Sequence, residues 1–282
     1  MVRFTFQPRR RFALKALSAL RSHVIPVQPP TADAPACNIC GFRLQAAPAL
    51  FSAREVVSCD VCQSSLRSRS LMAALQPELD GSQQIRVLER IPRHEGIKGI
   101  GMSDTTSYAI ALERKFDYTN TYFHQRPFLD IRAPGREYLG QFDFAISSDV
   151  LEHVSGPCPT TLKNIRSLLK PGGLLALTVP YGFQDETIEH FPELHDYRIE
   201  GQGTNRVLIN TTREGLEQRF TDLRFHGGDG STLELRYYAY RDLVRWLEDA
   251  GFTDITRHET NHPEWGIIHQ DLRDLPLTAR AV

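Results

Sequence analysis

The chain predicts an α/β fold with a mostly parallel sheet, preceded by a small cysteine-bearing module. Three observations carry that expectation. Phe142–Ser147 and Leu174–Val179 are short apolar runs flanking Thr160–Lys170, where Leu162, Ile165, Leu168 and Leu169 share one helical face. A helix between two buried strands is a crossover, which builds a parallel sheet covered on both faces. Lys170-Pro171-Gly172-Gly173 supplies a cation, a proline and glycines to end that helix. Next, the cysteines pair as Cys37-Asn-Ile-Cys40 and Cys59-Asp-Val-Cys62. Finally, Thr232–Tyr240 alternates Leu233, Leu235, Tyr237 and Ala239 as a half-buried strand, and Arg241–Ala250 puts Leu243, Trp246, Leu247 and Ala250 on one helical face before Gly251.

At 282 residues, 41% apolar and 24% charged, the chain suits one α/β domain plus an appendage. Its net charge of −1 demands neither nucleic acid nor a membrane. No apolar run approaches the ~20 residues that span a bilayer. Two CxxC pairs fit a metal in a reducing compartment better than a disulfide framework, so the expected location is cytoplasmic. The expected segments are a basic arm and Pro-rich linker over 1–35, a zinc-ribbon-like module with an Arg-rich helix over 36–75, and a catalytic domain over 76–282.

Met1–Ala32 contains no acid, and Arg3, Arg9, Arg10, Arg11, Lys15 and Arg21 are basic. Ala13, Ala16, Leu17 and Leu20 recur at helical spacing. A surface helix or loose arm, a contact with anionic lipid or nucleic acid, and an organelle transit peptide all fit this pattern. In the module, each CxxC presents two thiolates from one tight turn, and two such turns close a tetrahedral Zn²⁺ shell of Cys37, Cys40, Cys59 and Cys62. Gly41 suits the first turn. Ser64–Leu75 reads as a basic-led amphipathic helix carrying Arg67 and Arg69. Cys158 has no assigned role.

Phe142-Asp143, then Val150-Leu151-Glu152-His153-Val154, then Leu168-Leu169-Lys170-Pro171-Gly172-Gly173 and an apolar strand form a long, specific run. It resembles the fourth strand, following helix and fifth strand of class I S-adenosylmethionine-dependent methyltransferases of the type 11 group. The resemblance covers Gln84–His258, with Cys37–Leu75 resembling an amino-terminal cap seen in a bacterial subgroup. It implies a Rossmann-like class I methyltransferase fold with an antiparallel last strand, placed at Thr253–His258, and S-adenosylmethionine as cofactor.

Ile85–Ile91 reads as the first strand, with Glu89 at the family's acid position. Two registers follow. In the first, which we prefer, Gly96, Gly99 and Gly101 form a displaced glycine loop opening a helix at Thr105–Phe116, capped by Ser103 or Asp104, and Asp117–Phe123 is the second strand. In the second, Ile97–Met102 is itself the second strand and Asp104 grips the ribose hydroxyls. The resemblance further implies that Asp130 meets the adenine amine while Ile131 packs on the ring; a loop-capping Asp130 is the alternative. Ser148 and Asp149 fall at a strand's carboxyl end, where ligands bind in open α/β sheets.

Methyl transfer is an in-line displacement, so positioning supplies most of the catalysis, and an alcohol or phenol acceptor also needs a base. His190 is the first candidate, with His195 and His153 behind it. Asp149-x-x-Glu152-His153 also resembles a divalent-cation pattern of some methyltransferases, although Glu152 and His153 equally suit orienting the loop. Tyr181–Asp196 reads as a lid rich in titratable groups or as an exposed acidic surface. Gln202–Asp222 is a polar insertion, Phe225–Gly230 either brings His226 to the pocket or turns a hairpin, and Asn261–Val282 reads as a surface wrap. The expected activity is O-methylation of a small molecule or sugar. The rivals are an rRNA or tRNA methyltransferase with Arg67 and Arg69 on phosphates, and a non-catalytic binding protein with a degenerate cofactor site. The oligomeric state stays open.

Overall fold

The computed structural model describes residues 29–226 and 232–282. The readings of the basic arm and of Gly227–Gly230 therefore lie outside the described residues, apart from residues 29–35 at the end of the arm and linker. Thr31–Val282 forms one compact unit. Six strands make its main sheet: β1 (Lys98–Met102), β2 (Asp117–Thr121), β3 (Phe142–Ser148), β4 (Leu169–Thr178), β5 (Phe252–Arg257) and β6 (Leu277–Ala281). Their order is β5-β6-β4-β3-β1-β2. β2, β1, β3 and β4 are mutually parallel, and β6 runs antiparallel to both β4 and β5. Among the described residues four helices accompany them: α1 (Leu66–Asp80), α2 (Thr106–Lys115), α3 (Cys158–Leu168) and α4 (Tyr240–Asp249).

The two faces of the sheet follow from strict alternation along the central strands. Ala145, Leu175 and Leu177 join Leu162 and Ile165 of α3 and Leu243 and Leu247 of α4 in one core. Phe144, Ile146, Leu174 and Ala176 face the other way, against Leu71 and Leu75 of α1, Tyr108 and Leu112 of α2, and Cys37 and Ile39. The cysteine module thus shares a core with the sheet. β1–α2–β2 and β3–α3–β4 are parallel crossovers that put α2 and α3 on opposite faces, so the switch point of this doubly wound sheet lies between β1 and β3.

Three expectations change. Ile85–Ile91 is not a strand: Leu88–Arg90 forms one 3-10 turn, and Leu88 and Glu89 donate their amides to the carbonyls of Asn38 and Ile39. Its apolar residues bury against the cysteine turns instead of a neighbouring strand. The preferred glycine-loop register is also overturned, because Lys98–Met102 is the first strand of the sheet. The other register is right that this stretch is a strand, but it makes it the second strand, whereas it is the first, and β2 follows α2. Gly99 and Gly101 serve packing inside β1: a Cβ at Gly99 would strike the Phe144 ring, and one at Gly101 would strike the Tyr118 hydroxyl and Asp104. Lastly, the carboxyl-terminal stretch is no surface wrap. It ends in β6, the buried antiparallel strand, whereas the Thr253–His258 segment expected in that role forms β5, which runs parallel to β4.

Other elements shift less. α1 runs past Leu75 to Asp80, where Gly81 at φ 65° stops it. Thr105, not Ser103 or Asp104, caps α2, its hydroxyl accepting from the Ser107 amide. Lys170 pairs with Asp143 rather than with the carbonyls ending α3. The Thr232–Tyr240 run divides into two short strands outside the main sheet, Thr232–Leu233 pairing with Phe225–His226 and Arg236–Ala239 with the lid segments Tyr181–Gly182 and Ile188–Glu189. The polar insertion is a three-stranded antiparallel sheet of Asp196–Glu200, Val207–Thr211 and Glu217–Phe220.

Candidate active site and metal centre

The carboxyl ends of β1 and β3 meet at the switch point. β1 leads through Ser103, at φ 61°, into Asp104 and the start of α2. Asp104 is buried, with Tyr108 donating a hydrogen bond of 2.7 Å to its Oδ1 and Tyr118 donating to its Oδ2. Burial raises its pKa to about 6 against the pull of those hydroxyls and of Arg67. Both carboxylate oxygens are engaged inside the protein, so the ribose-gripping role expected for Asp104 finds its side chain turned inward.

β3 ends on Ser148 and Asp149, the latter at φ 52°. Two arginines from the amino-terminal module reach across to them. Arg54 forms a two-pronged pair with Asp149, 2.7 Å to Oδ2 and 2.8 Å to Oδ1. Arg67 donates to Ser148 Oγ at 2.6 Å and places Nε 3.2 Å from Asp149 Oδ2. Thr178, at the end of β4, donates to Asp149 Oδ1 at 2.8 Å. Burial alone would raise the Asp149 pKa, but Arg54, then Arg67, outweigh it and hold the carboxyl well below the usual carboxylate range. Sequence reasoning missed Arg54 entirely. Its signal was weak, one arginine in a loop between the cysteine pairs.

Glu152 and His153 follow in a short 3-10 turn. Glu152 is buried, and burial beside the Asp149 charge pushes its pKa well up. His153 shares a 2.8 Å hydrogen bond between Nδ1 and the Leu233 carbonyl. Asp149 is already engaged by two arginines, and among the described residues only the four cysteines converge as a metal-ligand group.

The lid folds back on the same 233–235 segment. The His190 amide donates to the Leu235 carbonyl, and His190 Nε2 lies 2.8 Å from Glu234 Oε1. Both side chains are largely buried, at 13% and 5% exposure. The Leu235 amide in turn donates to the Glu152 carbonyl, so His153 and His190 are held on one short piece of chain. Glu234 escaped the sequence reading because the alternation of Leu233 and Leu235 assigns it the outward position, whereas its side chain is buried. His195 is exposed, at the edge of the polar insertion, and is not gathered with the other two.

The remaining expected cofactor residues are dispersed. Glu89 pairs with Arg114 in the last turn of α2, at the opposite end of that helix from the switch point. Asp130 follows a single parallel bridge between Tyr122 and Phe128 and accepts from Arg132 at 2.7 Å, which lowers its pKa. Ile131 is packed in the α3 face of the core.

In the module, Gly41 donates back to the Cys37 carbonyl and Gln63 to that of Cys59, each with positive φ, so the two turns match. The four sulfurs lie within 4.8 Å of one another, with contacts of 3.6 Å between Cys37 and Cys62, Cys40 and Cys59, and Cys59 and Cys62. Zn–S bonds of about 2.3 Å arranged tetrahedrally require sulfurs about 3.8 Å apart. The donor set fits zinc, with no open position for catalysis. Ser64 Oγ lies 3.3 Å from Cys37 Sγ. Arg69 is fully buried beside the cluster, bonded to Ser64, Ser58 and the Gly266 carbonyl. It cannot touch a phosphate, which removes half of the nucleic-acid expectation; Arg67 is committed to Glu55, Ser148 and Asp149.

Residues 93–257 match a family model described as a methyltransferase domain. No curated protein matches the chain significantly. Among solved structures, the CurJ carbon methyltransferase aligns at 15% identity and a TM-score of 0.45, over 78% of this chain and 56% of that one. This chain thus spans little more than half of that neighbour's length. A 1,6-didemethyltoxoflavin-N1-methyltransferase of Burkholderia thailandensis aligns at 18% identity and 0.41, over 79% and 81% of the two chains. An S-adenosylmethionine dependent methyltransferase from Mesorhizobium loti aligns at 15% and 0.41, over 74% and 98%. The family match spans more than half of the chain and contains both parallel crossovers and the switch point between them. The chain belongs to the S-adenosylmethionine-dependent class I methyltransferases.

Proposed function

We propose that this methyltransferase acts on an oxygen atom of a small molecule or a sugar, with His190 as the general base. The observation that supports this most is the His190–Glu234 pair. A carboxylate bonded to one imidazole nitrogen fixes the ring and stabilises the imidazolium formed when the other nitrogen takes a proton. An oxygen acceptor needs that proton removed; a neutral amine or a sulfur acceptor needs it less. His153 holds the same 233–235 segment through the Leu233 carbonyl and shapes the acceptor's place, and His195 falls out of the constellation.

Bound S-adenosylmethionine supplies a methyl group made electrophilic by its sulfonium. The chain's own groups suit this partner's chemistry: guanidinium groups at the switch point for its carboxylate, and Asp130, after the Tyr122–Phe128 bridge, for the adenine amine. Asp104 and its two tyrosines brace the turn after β1 from beneath. Zinc held by Cys37, Cys40, Cys59 and Cys62 fixes the module structurally, and Arg69 balances part of the negative charge of four thiolates.

Turnover of labelled S-adenosylmethionine against a panel of alcohols, phenols and sugars tests the reading. His190→Ala should reduce turnover by about 10²–10⁴-fold while cofactor affinity stays within a factor of two. Methylation of carbon or nitrogen acceptors alone, untouched by His190→Ala, would reject an oxygen acceptor and its base together.

A further inference from the structure

Arg67 stands astride the switch point. Its guanidinium is bonded to Ser148 and Asp149 after β3, and its charge also reaches the Asp104 carboxylate after β1. Arg54 lies beside it and already gives Asp149 a complete two-pronged partner. Two guanidinium charges therefore face a single buried carboxylate, and the second is met from outside. Glu55, half exposed, takes the remaining fork of Arg67, with Oε2 accepting from Nη2 at 2.8 Å and Oε1 from Nε at 2.9 Å, and its Oε1 also accepts from Arg54 Nη1. An exposed glutamate spanning a largely buried, preorganised arginine is a weak closure, because it surrenders little by returning to water. An incoming carboxylate that took its place would restore the same two bonds and the same charge balance.

We propose that Arg67, backed by Arg54, receives the α-carboxylate of the cofactor's methionine moiety, and that Glu55 is an internal carboxylate displaced when the cofactor enters. The proposal rests on the methyltransferase reading. It makes the cysteine module part of the cofactor site. Arg54 lies between the two cysteine pairs and Arg67 five residues beyond Cys62, so the metal node sets the reach of both side chains. It also explains how a methyltransferase dispenses with a glycine loop after β1: the charge that fastens the cofactor comes from another segment of the chain.

Calorimetric titration of the full chain with S-adenosylmethionine, its demethylated product and decarboxylated S-adenosylmethionine tests it. Arg67→Gln should weaken the first two by roughly tenfold or more and the decarboxylated form by less than about twofold. Glu55→Gln should tighten the first two by about threefold and leave the decarboxylated form unchanged. Thermal unfolding without ligand checks each variant's fold, and if Arg67→Gln does not fold, the Glu55→Gln titrations decide alone. Equal losses for carboxylated and decarboxylated ligands, or a Glu55→Gln variant that binds no more tightly, overturns the carboxylate receptor while leaving the methyltransferase reading standing. An unaltered chain that binds neither S-adenosylmethionine nor its product overturns both.

Discussion

At the scale of single residues, two aspartates at the same sheet edge are pulled in opposite directions. Asp149 is held below its ordinary range by Arg54 and Arg67, so its contribution to stability is present above the unfolded value of about 3.9 and is lost as pH falls through the lower folded value. Asp104 is raised to about 6 by burial, so its contribution is present below about 3.9 and is lost as pH rises through 6. Thermal unfolding followed from strong acid to pH 8 should therefore separate them. Asp149→Asn is expected to be less stable than the parent at neutral pH by about 3–5 kcal/mol, as for other broken buried pairs, with the gap closing in strong acid. Asp104→Asn should match the parent near pH 4 and gain on it between pH 4 and 7. A constant offset for either variant would show that its carboxyl is not the titrating group.

At the scale of elements, the most consequential is β6, formed by Leu277–Ala281 close to the carboxyl terminus. It fills the gap between β4 and β5, and Leu277, Ala279 and Ala281 enter the α3–α4 core. A chain ending at Leu275 would leave β4 with an unpaired edge and isolate β5 and α4 from the sheet. Such a truncation is expected to abolish cooperative unfolding, measured by circular dichroism, rather than to lower the midpoint by a few degrees. A sharp transition in the truncated chain would contradict the strand's structural weight. β1 teaches a related point about legibility. Lys98-Gly-Ile-Gly-Met102 looks like a loop because two of its five residues are glycine, yet both glycines exist to admit Phe144, Tyr118 and Asp104 against the strand backbone. Nothing local in Ile85–Ile91 reveals that its apolar side chains answer to the cysteine turns.

At the scale of the whole molecule, the cysteine module and the sheet share one core: Ile39 and Phe51 belong with Leu71, Tyr108 and Phe144. Loss of zinc would release two matched turns, leave Arg69 buried without its negative counterpart, and free Arg54 and Arg67 from the sheet edge. Metal analysis of the purified chain should give about one zinc per molecule. Its removal by a chelator should lower the unfolding midpoint of the entire domain and abolish cofactor binding, and both should return on adding zinc back. Chelation that melts a small separate transition, with the main one unmoved, would mean that the module folds on its own.

The sequence by itself determined the crossover from Phe142 to Thr178, the helix Thr106–Lys115 with the strand after it, the four-cysteine cluster and the class of reaction. Each is written in contiguous residues, through a period of 3.6, a period of two or a fixed spacing of ligands. Only the tertiary structure decided which stretch is the first strand, that the last one completes the sheet, that Glu234 partners His190, and that Arg54 and Arg67 meet Asp149. Those are contacts between residues 44 to 106 positions apart in the chain, where the partner is chosen by packing and charge, and no local pattern records it.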